Sequence, residues 1–312
     1  MNEMEYVYEV YKAGSFSNAA KNLYISQPAL STAVGRVEKR IGNKIFNRST
    51  SPLSLTEAGE AYIDAVEKIN MIEYDLNNKL LEINDLKCGK LNVGGANFFS
   101  SCMLPPIIKI FAEKFPGISL QITESDSIRL YEDIKFKNVD LILDGGTYNK
   151  EQFVAHTLFS EHILLAIPSA NPINIQYSDY QLSYEDICTY KLDDFQHCIP
   201  IHELSNERFI LLTQGHDLYA RSMAIFEHNN IHPVNMLYLN QLMTAYNLAK
   251  QGVGLAFVTD TLIRLNTKND SLKYYKINDS SAIRDVFLAH RANLSPTKAM
   301  DKFIEIAKNI YS

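Results

Sequence analysis

A long helical pattern in the first third of the chain sets the strongest limit on how it can fold. Apolar residues recur every three or four positions through residues 60–88, and this stretch contains no glycine or proline. A helix over residues 57–87 would be roughly 45 Å long, too long for the core of a small domain. We therefore predict a linker helix at residues 59–88, between an N-terminal domain at 1–58 and a C-terminal domain at 89–312. Its apolar stripe requires a helical partner, such as the same helix in a second copy.

The C-terminal portion alternates between strand and helix patterns. Short apolar runs predict strands at residues 91–95, 118–123, 139–143, 163–167, 209–212 and 255–258. Helical periodicity predicts helices at 104–116, 128–136, 217–229, 240–251 and 295–310. This order predicts an α/β fold with a mostly parallel sheet flanked by helices. The apolar runs are far too short to span a bilayer, so we expect no membrane partner.

The first 42 residues contain three helical patterns joined by short breaks. Ser17 is the expected N-cap of the second helix, and Ser26 or Gln27 is the expected N-cap of the third. Two helices joined by a tight turn, with another helix behind them, form a helix-turn-helix. Two short alternating segments, at residues 44–46 and 53–55, then predict a wing.

The polar face of the third helix suits contact with DNA. Gln27, Ser31 and Thr32 present the amide and hydroxyl groups that read base edges, and Arg36 suits a phosphate. Between positions 36 and 48, five basic residues stand with only one acidic residue, although the chain as a whole has a net charge of −6. A local basic cluster on an acidic chain indicates contact with a polyanion. A solvated helix face would show the same charge pattern.

The N-terminal segment resembles the signature of the LysR-type transcriptional regulators. The matching residues stand in the family's order and spacing: Ala13-Gly14-Ser15-Phe16, Ala19-Ala20, Leu23, Ile25-Ser26-Gln27-Pro28-Ala29-Leu30-Ser31, Glu38, Gly42, Phe46, Arg48 and Leu55-Thr56-Glu57-Ala58-Gly59. The resemblance implies base-reading residues Gln27, Pro28, Ser31 and Thr32, and phosphate-contacting residues Ser26, Arg36 and Arg48. Thr32 stands where many members carry a basic residue, and the wing tip at 49–51 lacks the usual arginines. Each lost phosphate contact lowers the dependence of log affinity on log salt concentration by about one unit. We therefore expect weaker nonspecific DNA binding than in more basic members.

The C-terminal order resembles the effector domain of the same family, which has the fold of periplasmic solute-binding proteins. The resemblance implies one lobe at about 90–160 with 268–312 and another at about 161–267, with a small-molecule effector between them. Four loops are expected to supply pocket residues: Asn97, Ser100, Ser101, Ser127, Thr147, Thr213, Gln214 and His216. Helix capping or turn formation is an alternative role for each of them. These loops contain no arginine or lysine, so the class of ligand stays open. The family also implies a homodimer, or a dimer of dimers, on an inverted-repeat operator.

The competing class is a solute-binding or enzymatic α/β protein whose N-terminal helices only mediate association. Such a protein would bind or convert a ligand without any operator preference. The sequence has no nucleophile elbow, HExxH or GxxxxGK[ST] motif, so we predict neither catalysis nor a cofactor. The N-terminus also lacks the apolar core of a secretory signal, and we therefore expect a cytoplasmic protein.

A stretch of about forty residues, 168–209, is longer than is usual in the family. Its role, either ligand selectivity or a subunit contact, stays open. It holds Cys188, His197, Cys198 and His202, whose spacing matches no standard zinc pattern, and we predict no metal site. Some family members sense peroxide with a cysteine near the fourth pocket loop. Cys188 and Cys198 lie upstream of that position, so the resemblance does not extend to thiol sensing.

Overall fold

The computed structural model describes residues 3–48, 53–83, 86, 88–135, 139–189, 192 and 195–311. The chain divides into two compact units, Met1–Asp85 and Leu86–Ser312, each of which is described by itself. Among the helices of the described residues, none combines the length and the apolar character that a membrane span needs.

The first unit is a helix-turn-helix followed by a short wing and a long helix. Its elements are α1 (Glu3–Ala13), α2 (Phe16–Asn22), α3 (Gln27–Ile41), β1 (Phe46–Asn47), β2 (Ser54–Leu55) and α4 (Glu57–Ile83). Val7 and Val10 of α1, Leu30 and Val34 of α3, and Ile63 of α4 share one core. The apolar stripes of these helices meet there, as their helical spacing predicts.

Serine side chains set the starts of α2 and α3. The Ser15 Oγ accepts a hydrogen bond at 3.2 Å from the backbone N–H three residues further on, and this caps α2. The prediction that Ser17 caps this helix is wrong, because Ser17 lies inside it. Gly14 adopts a φ of 62° and turns the chain directly before Ser15. Ser26 caps α3 in the same way, at 3.3 Å.

The wing is anchored on the start of α4. The backbone N–H of Thr56 donates to the Ile45 carbonyl at 3.0 Å, and the Thr56 Oγ1 accepts from the Gly59 N–H at 3.0 Å. Only glycine fits at position 59, because a Cβ there would lie 2.1 Å from the Ile45 oxygen. The predicted wing tip at residues 49–51 lies outside the described residues.

The second unit contains two sheets with flanking helices, which confirms the α/β class. The prediction of a mostly parallel sheet is wrong, because five of the nine strand pairings in the described part of this unit are antiparallel. Its strands are β3 (Gly89–Gly95), β4 (Ile118–Glu124), β5 (Leu141–Asp144), β6 (Phe153–Pro168), β7 (Gln181–Leu182), β8 (Arg208–Leu212), β9 (Asn235–Leu239), β10 (Leu255–Thr259), β11 (Leu272–Lys276) and β12 (Ile283–Arg291). Its helices are α5 (Leu104–Lys114), α6 (Ser127–Lys135), α7 (Ile173–Gln176), α8 (Tyr184–Cys188), α9 (Asp217–His228), α10 (Leu242–Lys250), α11 (Asp260–Arg264) and α12 (Lys298–Tyr311). A π-helical turn, Phe99–Met103, precedes α5.

The two sheets share one long strand. The first has the order β4-β3-β5-β12-β6, and the second has the order β9-β8-β10-β6-β11-β7. The N-terminal part of β6 pairs with β12, and its C-terminal part pairs with β10 and β11. The chain therefore passes from the first lobe to the second along β6 and returns between β11 and β12. The predicted boundary, which assigns 268–312 to the first lobe, is wrong for β11, because β11 pairs with β6 and β7 in the second sheet.

The long segment between β6 and β8 packs on the second sheet. The Asn174 side chain is buried; its Nδ2 donates to the Pro168 carbonyl at 2.7 Å, and its Oδ1 accepts from the Tyr275 hydroxyl at 2.8 Å. These bonds fasten α7 to β6 and β11. The segment thus has a packing role, and a part in ligand selectivity or subunit contact stays a prediction.

Candidate functional site

A buried glutamate connects the third helix to the wing. The Glu38 Oε1 accepts from the backbone N–H groups of Ile45 at 3.0 Å and Phe46 at 3.4 Å. Its Oε2 lies 3.1 Å from Lys44 Nζ and 3.2 Å from Arg48 Nη2. Burial raises the pKa of Glu38, but these four partners outweigh it and hold the pKa below its usual value of 4.5. Glu38 therefore stays ionised at neutral pH and fixes β1 against α3.

Arg48 joins three elements of the first unit. Besides Glu38, its Nη1 donates to the Ser31 Oγ of α3 at 2.9 Å, and its guanidinium lies 4.9 Å from the centre of the Phe16 ring of α2. Ser31 and Arg48 are both predicted DNA contacts, and the structure bonds them to each other. The Arg48 side chain is still 41% exposed, which leaves part of the guanidinium available to a phosphate.

The other predicted DNA contacts lie along the exposed surface of α3. Gln27, Pro28, Thr32 and Arg36 are all exposed. The Thr32 Oγ1 donates to the Pro28 carbonyl at 2.8 Å, so its lone pairs face outward as acceptors. Ser26 is exposed but already occupied as the helix cap. This surface therefore presents the amide of Gln27, the hydroxyl of Thr32 and the guanidinium of Arg36 on successive turns of α3.

Ion pairs within the first unit neutralise much of the basic cluster. Arg40 Nη1 lies 2.6 Å from Glu3 Oε2, and Lys44 and Arg48 both pair with Glu38. The sequence alone therefore overstates the positive charge that DNA would meet on this unit.

In the second unit, a cavity lies between the two lobes, next to the end of β5. Its volume is about 60 Å³, which is room for a few water molecules. The predicted residues Asn97, Ser127 and His216 line this inner cavity, together with Asp144 and Arg284. Open α/β sheets bind ligands at the carboxyl ends of their strands, so this is the expected place for an effector.

A wider outer pocket of about 490 Å³ shares Asn97 and His216 with the inner cavity. Thr213 and Gln214 line it as predicted, and Glu124, Asp126 and Arg129 line it as well. The Arg129 Nε lies 3.5 Å from Asp126 Oδ2. With two carboxylates and one guanidinium, the side chains that line the outer pocket have a net negative charge.

Three predicted pocket residues lie elsewhere. The Ser100 Oγ donates to the Gly95 carbonyl at 3.0 Å, and the Ser101 Oγ donates to the Asn97 carbonyl at 2.7 Å. Serines in a first helical turn often bond to the preceding backbone in this way. Thr147 lines a separate surface pocket beside β12. The structure does not bring these three side chains into the inner cavity or the outer pocket.

Buried charged groups converge on the inner cavity. Arg284 of β12 stands opposite Glu161 of β6, with Arg284 Nη2 2.6 Å from Glu161 Oε1. Arg284 Nη1 donates to Asp217 Oδ2 at 3.0 Å, and Arg221 Nε donates to the same oxygen at 2.6 Å. Burial lowers the pKa of Arg284, but the charges of Glu161 and Asp217 raise it above its usual value. Arg284 is therefore a permanent cation with its charge shared by two carboxylates.

Asp144 adds a third carboxyl group to this network. Its Oδ1 accepts from the Gly145 N–H at 2.8 Å and from the Ser127 Oγ at 3.2 Å. Its Oδ2 is buried, and the Tyr131 hydroxyl lies beside this carboxyl group; burial and this carboxyl group raise the pKa of Tyr131. Burial raises the pKa of Asp144, and Asp217 adds to this effect, while the Gly145 N–H and Arg284 oppose it. Asp144 therefore has the Gly145 N–H and the hydroxyls of Ser127 and Tyr131 around its carboxyl group.

The cysteines and histidines of the long segment form no ligand set. Within the described ranges, no three His, Cys, Asp or Glu side chains lie close enough to hold a metal ion. Cys188 and Cys198 are partly buried free thiols. Burial raises the pKa of the Cys198 thiol, which disfavours the reactive thiolate.

A winged helix-turn-helix and a two-lobed α/β unit with a cavity between its lobes define a ligand-responsive DNA-binding regulator. A family model described as "Bacterial regulatory helix-turn-helix protein, lysR family" matches residues 1–60, and one described as "LysR substrate binding domain" matches residues 84–311. The chain belongs to the LysR family of transcriptional regulators.

Similar proteins cover nearly the whole chain. The uncharacterized regulator YcgK of Bacillus subtilis (strain 168) is 26% identical over 294 residues, covering 92% of this chain and 88% of its own length. A probable RuBisCO transcriptional regulator of Cyanidium caldarium is 25% identical over 296 residues, covering 93% and 87%. A full-length OxyR variant from Pseudomonas aeruginosa has a TM-score of 0.67 at 19% identity, covering 99% and 95%. Full-length BenM has a TM-score of 0.56 at 20% identity, covering 100% and 97%. These solved structures share the fold.

Proposed function

We propose that the protein binds an inverted-repeat operator as a homodimer or a dimer of dimers, with α3 in the major groove. The exposed face of α3, held in place by Glu38 and Arg48, carries this proposal. The base-reading residues are Gln27, Pro28, Ser31 and Thr32, and the phosphate contacts are Ser26, Arg36 and Arg48. Because operator DNA is the partner, we assign the protein to the cytoplasm.

The exposed apolar residues of α4 support self-association. Ile69, Ile72 and Leu76 are 38%, 68% and 56% exposed. Their spacing of three and four residues places them on one side of the helix. An exposed apolar stripe of this kind is covered when a second copy pairs along it. A dimer also supplies the two reading heads that two half-sites need.

The effector site lies between the lobes of the second unit and involves Asn97, Ser127, Thr213, Gln214 and His216. The cavity and the outer pocket beside them support a small molecule. The effector domain of BenM, which shares the fold of this unit, was solved with its effector benzoate. The ligand binds and is released unchanged. The effector alters operator binding only if it binds the arrangement of the lobes that favours operator binding with a different affinity from the arrangement that does not.

The test is a gel shift on the DNA that flanks the protein's own gene, with excess nonspecific competitor. The native chain is compared with Gln27→Ala plus Ser31→Ala on α3. The matched control is Gln251→Ala plus Ser178→Ala, two exposed positions of the second unit. We expect a sequence-specific shift from the native chain and the control pair, and none from the α3 pair.

If the native protein is folded and gives no shift, a genome-wide fragment selection follows. An empty selection would overturn the operator-binding proposal and favour a ligand-binding protein whose N-terminal helices only associate. An equal shift from the α3 pair would show that other residues read the bases.

A further inference from the structure

Tyr24, in the turn between α2 and α3, is the most exposed large apolar side chain that the structure describes, at 96%. Leu23 and Ile25, on either side of it, pack against the core of the first unit. At this exposure the Tyr24 ring buries almost no surface against its own unit, so packing does not explain a tyrosine at this position.

The backbone of Tyr24 adopts a conformation that disfavours tyrosine. Its φ is 54°, in the left-handed region, where the Cβ of any residue other than glycine crowds the following carbonyl oxygen. The Tyr24 N–H donates to the Lys21 carbonyl at 3.1 Å, and the Ile25 N–H donates to the Ala20 carbonyl at 3.0 Å. This pair of hydrogen bonds is the Schellman motif, whose left-handed position is usually glycine and sometimes asparagine.

Helices α9 and α10 end with the same two hydrogen bonds and follow that preference. The left-handed residue is Asn230 after α9, with a φ of 50°, and Gly252 after α10, with a φ of 80°. Tyr24 thus occupies a position at which the chain elsewhere uses the residues that fit. A side chain that strains its backbone without packing inside the protein does not stabilise this unit, and such strained positions concentrate where a protein contacts a ligand.

The place of Tyr24 in the turn indicates which ligand it contacts. Ser26, two residues further on, caps α3, and Gln27 begins the exposed surface that is proposed to read bases. When the first turn of a recognition helix enters the major groove, the residues directly before it lie at the edge of the groove, beside the sugar-phosphate backbone. The tyrosine hydroxyl is one of the side-chain groups that hydrogen-bond to DNA phosphates.

We propose that the Tyr24 hydroxyl donates a hydrogen bond to a backbone phosphate at the edge of the groove that α3 occupies. The inference rests on the proposed function, because it adds a residue to the same DNA-binding surface. The contact does not depend on the base sequence, since every nucleotide presents the same phosphate. The tyrosine donor is also uncharged, so it does not release a counterion from the DNA as an arginine does.

The test titrates the full-length chain against two duplexes at several salt concentrations. One duplex comes from the DNA that flanks the protein's own gene, and the other is the same duplex with its sequence scrambled. Tyr24→Phe removes only the hydroxyl and should weaken binding to both duplexes by about threefold to tenfold. The slope of log binding constant against log salt concentration should stay as in the native chain.

Tyr24→Gly separates a DNA contact from a structural role. Glycine relieves the left-handed strain, so hydrogen exchange in peptides that cover α2 should slow by about twofold to fivefold. Binding to both duplexes should nevertheless weaken by at least as much as in Tyr24→Phe. Asn230→Gly is the matched control, because it makes the same backbone change in the second unit and should leave DNA binding unchanged.

Three results would each overturn the inference. Native affinity of Tyr24→Phe for both duplexes would show that the hydroxyl makes no contact, and a loss confined to the unscrambled duplex would make Tyr24 a base-reading residue. A change in the sedimentation of DNA-free Tyr24→Gly would place the side chain in a subunit contact. Each of these leaves the proposed function standing when the native chain prefers the unscrambled duplex. A folded native chain that binds no duplex, including those of the genome-wide selection, rejects the operator-binding proposal and the Tyr24 contact together.

Discussion

Removal of the Glu38 carboxylate tests whether this buried group holds the third helix and the wing together. Glu38→Ala takes the acceptor from the buried N–H groups of Ile45 and Phe46. A buried unsatisfied donor costs about 1–3 kcal/mol, and the long bond to Phe46 lies at the weak end. Lys44 and Arg48 are 71% and 41% exposed and regain water, so each lost ion pair costs about 0–1 kcal/mol. We expect the first unit to lose about 2–4 kcal/mol of stability.

The measurement is hydrogen exchange read by mass spectrometry on the full-length chain, in peptides that cover α3 and β1. For Glu38→Ala, exchange should accelerate there by about thirtyfold to several hundredfold. Lys44→Ala is the matched control, because it removes one exposed partner and keeps the acceptor for both N–H groups. It should change exchange by less than about fivefold. If the two variants exchange equally fast, the buried acceptor is not what stabilises this unit.

The same carboxylate makes the first unit sensitive to acid. The pKa of Glu38 is lower in the folded state than its usual value of 4.5. Its stabilisation is therefore present above pH 4.5 and is lost as the pH falls through the lowered folded-state pKa. Glu38→Gln has no carboxyl group at this position, so the difference in unfolding free energy between it and the native chain should shrink in that window. A difference that stays constant through acid titration would refute the assignment.

Two further outcomes follow from the structure. Arg36→Ala should weaken binding to all DNA sequences. It should also reduce the slope of log binding constant against log salt concentration by about one, measured by titration at several salt concentrations. An unchanged slope would remove Arg36 from the phosphate contacts. Leu76→Glu places a charge on the exposed stripe of α4 and should shift sedimentation toward the monomer; an unchanged oligomer would place the subunit contact elsewhere.

The elements of this fold could be predicted from the sequence because each has a local signal. The apolar spacing of α3 and α4 gives their buried sides, and the short apolar runs give β3, β4 and β5. The N-cap of α2 is a case in which the local sequence does not decide between two residues. Ser15 and Ser17 are both good N-cap residues, and the choice between them depends on the positive φ of Gly14, which the sequence does not state.

The charged cluster of the cleft has no local signal at all. Glu161 and Arg284 are 123 positions apart, and they meet only because β6 and β12 pair in one particular register. The sequence prediction took its pocket residues from loops at strand ends and found Asn97, Ser127 and His216 there. It missed the charges because they project from strands that cross between the lobes. A shift of β12 by one residue in that register would turn Arg284 to the other side of the sheet and away from Glu161.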